Sequence, residues 1–146
     1  MSADNNKEIV RRFFDEVVKT GEVDRADELF STEFVAHFGG VPGPIQGIAA
    51  WKQLASMLFN AFPDLNLDVA ETFSEGDKVV ARWQWGGTQS GELMGIPPTG
   101  RQVSALRGIG IYRIDNGRIA EEWVQEDMLG MLQQLGVVPA PDQTVA

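Results

Sequence analysis

Apolar positions in the first third of the chain recur with the period of a helix. Ile9, Val10, Phe13, Phe14, Val17 and Val18 are spaced by three, four and seven, which predicts an amphipathic helix from about Asn5 to Thr20, ended by Gly21. A second short helical pattern uses Val23, Ala26, Leu29 and Phe30, with Asp24 and Asp27 near its first turn, where the helix dipole favours negative charge. Phe34 to Phe38 is short and β-prone, and Gly39 to Pro44 reads as a loop. Ile48, Trp51, Leu54, Ala55, Leu58 and Phe59 predict a third helix, stopped by Pro63.

From Leu65 onward the pattern becomes alternation. Leu67 to Phe73 and Lys78 to Trp85 predict a hairpin around Glu75-Gly76-Asp77, and the paired prolines Pro97 and Pro98 mark a loop. Gln102 to Ile114 and Arg118 to Gln125 predict a second hairpin across Asn116-Gly117. A plain two-residue turn there sets Tyr112 opposite Glu121, Gly110 opposite Trp123 and Arg107 opposite Glu126, the last as a surface ion pair. Gly110 would then make room for the Trp123 indole. Asp127 to Leu135 predicts a closing helix, stopped by Gly136, and residues from about 139 to 146 read as a flexible tail. Helices followed by consecutive antiparallel strands, with no repeating βαβ unit, predict one α+β domain over residues 1–146. Its helices would lie on one face of a curved antiparallel sheet, leaving a concave surface for a small ligand.

Charge and composition narrow the chemistry. Among 146 residues, 12 Lys and Arg face 21 Asp and Glu, a net charge of −9 that opposes nucleic acid and anionic membranes. With no cysteine and one histidine, thiolate chemistry and multi-histidine metal sites are excluded, so neither metal nor cofactor is expected. No apolar run is long enough to span a bilayer, and the expectation is a cytoplasmic protein. Phosphate-loop and nucleophile-elbow motifs are also missing, which leaves acid/base chemistry.

His37 stands at the edge of the Gly/Pro loop, at the expected mouth of the cavity; it reads either as an acid/base group or as a structurally satisfied strand-end histidine. Glu121 to Asp127 carries four carboxylates. Alternation puts Glu121, Trp123 and Gln125 on one face of the last strand and Glu122, Val124 and Glu126 on the other, without saying which faces inward. A carboxylate on the cavity side would be desolvated and suited to acid or base work. Asp127 is equally placed to cap the closing helix. Trp51, Phe59, Trp83, Tyr112 and Trp123 are candidates for contacts with a flat apolar ligand, though each could equally be ordinary core.

Several motifs together resemble a known family. Ala61-Phe62-Pro63-Asp64-Leu65, Glu75-Gly76-Asp77-Lys78-Val79-Val80, Gly95-Ile96-Pro97-Pro98-Thr99-Gly100, Asn116-Gly117-Arg118-Ile119 and Glu122-Trp123, closing on Gln134-Leu135-Gly136, are similar to the SnoaL-like polyketide cyclases. The resemblance implies the cone-shaped α+β barrel of the nuclear transport factor 2-like superfamily, with N-terminal helices on the concave face, and a homodimer formed through the sheet. It implies cofactor-free, metal-free ring closure by intramolecular aldol condensation on an aromatic polyketide methyl ester, hence an apolar carbonyl-containing small molecule as partner. It further implies an acid/base aspartate and a helping histidine at positions that here hold Val124 and Gly110. Neither titrates. The work would fall to His37, Asp127 and Glu122, unless the cone is a non-catalytic binder or an isomerase or epoxide hydrolase on the same fold.

Overall fold

The computed structural model describes residues 3–141; the tail residues 142–146 lie outside that range. Helix α1 (Ala3–Phe13) runs into one wide turn, Phe14–Val18, in which the Lys19 N–H donates to the Phe14 carbonyl five residues back at 2.9 Å. That turn shifts the helical phase, so the consecutive Phe13 and Phe14 are both buried, beside Val10 and Val17. The second helical segment is a tighter 3₁₀ stretch, Val23–Glu28, and the chain is already extended at Phe30. Strand β1 (Phe30–Phe38) thus starts four residues before the expected Phe34, because Phe30 pairs with Ile119 and stacks on Phe34 at 4.1 Å. The short β2 (Ile45–Gln46), helix α2 (Ile48–Ala61), β3 (Asn66–Glu75), β4 (Lys78–Thr88), β5 (Gln102–Asp115), β6 (Arg118–Glu126) and helix α3 (Met128–Gln134) follow.

The six strands form one sheet in the order β2-β1-β6-β5-β4-β3. The expectation of an antiparallel sheet needs one correction: β1 and β6 run parallel, the chain between them passing through α2 and four other strands before returning. The sheet is curved and does not close. Register shifts at Val69/Glu71, Trp85/Gly87 and Arg113/Ile114 each place an extra residue on one strand, which bends it and increases its twist. Inward side chains of β4 and β5, including Val79, Ala81, Trp83, Leu106 and Tyr112, pack against α1 and α2 in a single core cluster.

The bulge beside the Asn116-Gly117 turn has the largest consequence for function. Both turn residues adopt positive φ, 51° and 77°, and Asp115 pairs with Arg118 and Ile114 with Ile119 as a two-residue turn requires. Beyond the bulge the pairing slips by one. Tyr112 faces Glu122, Gly110 faces Val124 and Gly108 faces Glu126, in place of the pairings expected from an unbroken ladder.

Candidate functional site

A cavity of about 200 Å³ lies between the concave face of the sheet and the helices. Its walls are aromatic and aliphatic, with Phe13, Leu54, Phe59, Leu106 and Met131 among them. Among the described residues that line it there is no Lys, Arg or His; its polar groups are Glu122, Glu126, Asp127, the Tyr112 hydroxyl and the indole N–H groups of Trp51, Trp83 and Trp85. Nor do the described residues contain a cluster of three or more His, Cys, Asp or Glu able to hold a metal ion.

The core face of β6 carries Glu122, Val124 and Glu126. Glu122 is only 2 % exposed, and its Oε1 accepts the Trp51 indole N–H at 3.0 Å, with the Tyr112 hydroxyl beside it. Burial favours the neutral acid more strongly than these donors favour the anion, and the negative charge of Glu126 adds to it, so the Glu122 carboxyl is pushed up to about 7. Burial and the neighbouring Glu122 likewise hold the Tyr112 phenol well above its ordinary range, leaving it a donor at neutral pH. Glu126 is half-buried, and its Oε2 accepts the Trp85 indole N–H at 2.8 Å. Desolvation pushes it up to about 7 as well, against the lowering effect of Trp85 and Trp83.

The indole of Trp83 lies flat across β5. A Cβ on Gly108 would stand 2.3 Å from its Nε1, and one on Gly110 would stand 3.0 Å from both its Cη2 and the Tyr112 Cε2. The missing side chain at Gly110 therefore seats Trp83 and Tyr112, not Trp123 as the unbroken register suggested.

Of the residues singled out from sequence, Glu122, Trp51, Phe59, Trp83 and Tyr112 converge on the cavity. Asp127 does two things: it lies at the cavity wall, and its Oδ1 accepts the Gly130 N–H at 2.8 Å as the cap of α3. His37 and Trp123 are elsewhere. On β1 the neighbours Ala36 and Phe38 point inward, so His37 points out; Trp123, between Glu122 and Val124, does the same. On that outer face the two rings stack, 5.5 Å apart and 12° from parallel, and His37 Nε2 lies 2.8 Å from Glu121 Oε2. Arg113 Nε donates to the other oxygen of Glu121 at 3.2 Å. Partial burial raises the Glu121 carboxyl, but its bonds to His37 and Arg113 outweigh this and hold it below the usual range.

Glu126 is the residue that sequence reasoning misplaced. An unbroken register places it opposite Arg107 on the surface, and the one-residue slip sets it opposite Gly108 instead, beside the Trp85 indole of β4. The available signal was its spacing of four from Glu122, which keeps two carboxylates on one strand face.

Comparison with known proteins extends the picture. Residues 8–135 match the family described as SnoaL-like polyketide cyclase. The aklanonic acid methyl ester cyclase DnrD of Streptomyces peucetius is 30% identical over 131 residues, covering 88% of this chain and 89% of the relative. A solved SnoaL-like protein from Jannaschia sp. CCS1 superposes with a TM-score of 0.86 at 27% identity, covering 94% of this chain and 95% of its own. AclR of Streptomyces galilaeus, a proposed hydroxylase, superposes with a TM-score of 0.84 at 26% identity, covering 95% and 85%. With the match running from α1 to the end of α3, over the same curved sheet and helices, this chain belongs to the SnoaL-like polyketide cyclase family.

Proposed function

We propose that this protein is a cofactor-independent acid/base catalyst that acts beside a carbonyl group of an apolar small molecule, in the manner of a polyketide or ester cyclase. The observation that carries the reading is Glu122, a buried carboxyl group with a titration point near neutrality, at the floor of an apolar cavity. A carboxylic acid that retains its proton into the neutral range in part of the molecules can donate to a carbonyl oxygen and stabilise negative charge developing there. The absence of cationic side chains from the described lining favours neutral ligands over free carboxylates. Ring closure in such a site needs a base at one end of the ligand and an acid at the other, and β6 supplies two carboxyl groups on one face.

The test is turnover on a panel of polyketide keto esters, followed by mass spectrometry of the products. Glu122→Gln preserves shape and the acceptor for Trp51 but removes the exchangeable acid, and is expected to lower turnover by about a hundredfold or more. His37→Asn, on the outer face, is expected to remain near wild type. Equal turnover by Glu122→Gln and wild type would overturn the reading.

A second reading, a non-catalytic binder, is favoured by Val124 and Gly110, which occupy the positions that the family resemblance assigns to the acid/base pair. These two residues are direct register partners lining the middle of the sheet. Ligand-induced stabilisation with no conversion of any ligand would support it. The proposal includes a homodimer through the outer face of the sheet. Phe73, Val80, Ile111, Trp123 and His37 form one cross-strand row there, with Phe73 and Ile111 55% and 37% exposed.

A further inference from the structure

The two cavity carboxyl groups are not equivalent. Glu122 is 2 % exposed and has a closed set of partners, with the Trp51 N–H on its Oε1 and the Tyr112 hydroxyl beside it. Glu126 lies four residues further along β6, roughly 13 Å at the usual rise per residue, next to Asp127 and the start of α3. It is less buried, and the Trp85 N–H engages its Oε2 and not its Oε1.

A second donor waits beside it. Trp83 is 3 % exposed, yet its Nε1–H has no acceptor within hydrogen-bonding geometry; the one other such buried side-chain atom among the described residues, Asn6 Oδ1, does not line the cavity. Glu126 lies within its electrostatic reach, since the Trp83 indole already favours the Glu126 anion. Gly108, the register partner of both Trp83 and Glu126, keeps the path between them clear, since a Cβ there would stand 2.3 Å from Nε1. An orphaned buried donor is costly to keep unless some state of the protein satisfies it.

We propose that Glu126 is the base that touches the ligand, and that Trp83 is a positioning residue whose N–H completes a two-indole grip on the Glu126 carboxylate. The inference rests on the acid/base function proposed above and assigns its base. In the step, a C–H bond next to the ligand carbonyl breaks, its proton forms an O–H bond on Glu126 Oε1, and the electron pair moves onto the carbonyl oxygen as an enolate. Glu122, at the far end, keeps its proton for the oxygen that must receive one in ring closure.

Solvent exchange of the α-protons of 2-tetralone in D2O, followed by proton NMR, tests this without the natural substrate. Wild type is expected to accelerate exchange. Glu126→Gln should lower that acceleration by about a hundredfold or more, and Glu122→Gln, which removes a proton donor but leaves the base, should lower it by less. Trp83→Phe should give an intermediate loss, with the pH profile displaced upward because the anion has lost a donor. Carbon-13 titration of the glutamate carboxyls in the same variant should show the Glu126 midpoint rise by about half a pH unit or more. If exchange survives in Glu126→Gln but is lost in Glu122→Gln, the acid/base function stands and this assignment falls. An unmoved Glu126 midpoint in Trp83→Phe overturns the two-indole grip. A wild type that does not accelerate exchange overturns both the function and its base.

Discussion

A carboxyl group enclosed by apolar walls costs the fold most when it is charged, so a proton on Glu122 is linked to stability. Its ordinary value of 4.5 rises to about 7 in the folded protein, so the native state holds the proton more tightly than the unfolded chain does. The favourable contribution of this group is therefore fully present below about pH 4.5 and is lost as pH rises through 7. Across that window the loss amounts to roughly 3 kcal/mol. Denaturant unfolding at pH 5 and pH 8 should show wild type weaken more than Glu122→Gln, and the variant should gain on wild type by up to about 3 kcal/mol at the higher pH. Parallel curves for the two proteins would mean that the carboxyl is hydrated, not buried. The same residue thus costs stability at neutral pH to hold an acid on the cavity wall, a trade common at functional sites.

At the scale of elements, two devices hold the cavity walls in place. The cap of α3 is Asp127, which ties the end of β6 to the helix that covers the cavity. The long connection between β4 and β5 is built around Gln89, which is fully buried. Its Nε2 donates to the carbonyls of Gly91, Ile96 and Pro97, and its Oε1 accepts from the Thr99 N–H and hydroxyl. One side chain thus replaces the ladder that Pro97 and Pro98 cannot join, and it fixes Leu93 against the cavity. Gln89→Ala should cost at least about 2 kcal/mol, because it strands buried backbone groups. Limited proteolysis of that variant should cut first within residues 90–100, and a cleavage pattern like that of wild type would contradict this account.

For the whole molecule, the alternation of each strand separates two chemistries across one sheet. The inner face holds the carboxyl groups and indoles. The outer face holds an apolar row flanked by the charged pairs Arg82–Glu71 and Arg113–Glu121. If two copies meet on that row, as proposed, Ile111→Lys should give monomers in sedimentation while leaving ligand binding in the cavity intact. A wild type that sediments as a monomer would remove the dimer but not the site. The helical and strand periods and the Asn116-Gly117 turn determined the α+β class from sequence alone, and the absence of cysteine excluded thiolate chemistry, since periodicity and residue type are local properties. Glu122, Trp51 and Tyr112 were legible as candidates for the same reason. The inward face of β6 was not legible, because alternation gives two equivalent faces until the helices cover one. Nor was the bulge at Arg113/Ile114, an extra residue whose position depends on packing and not on any motif. That single slip carried Glu126 from an expected surface pair into the cavity, and the phase of the alternation on β1 turned His37 to the outer face, away from the expected cavity mouth. Only the tertiary structure could decide either.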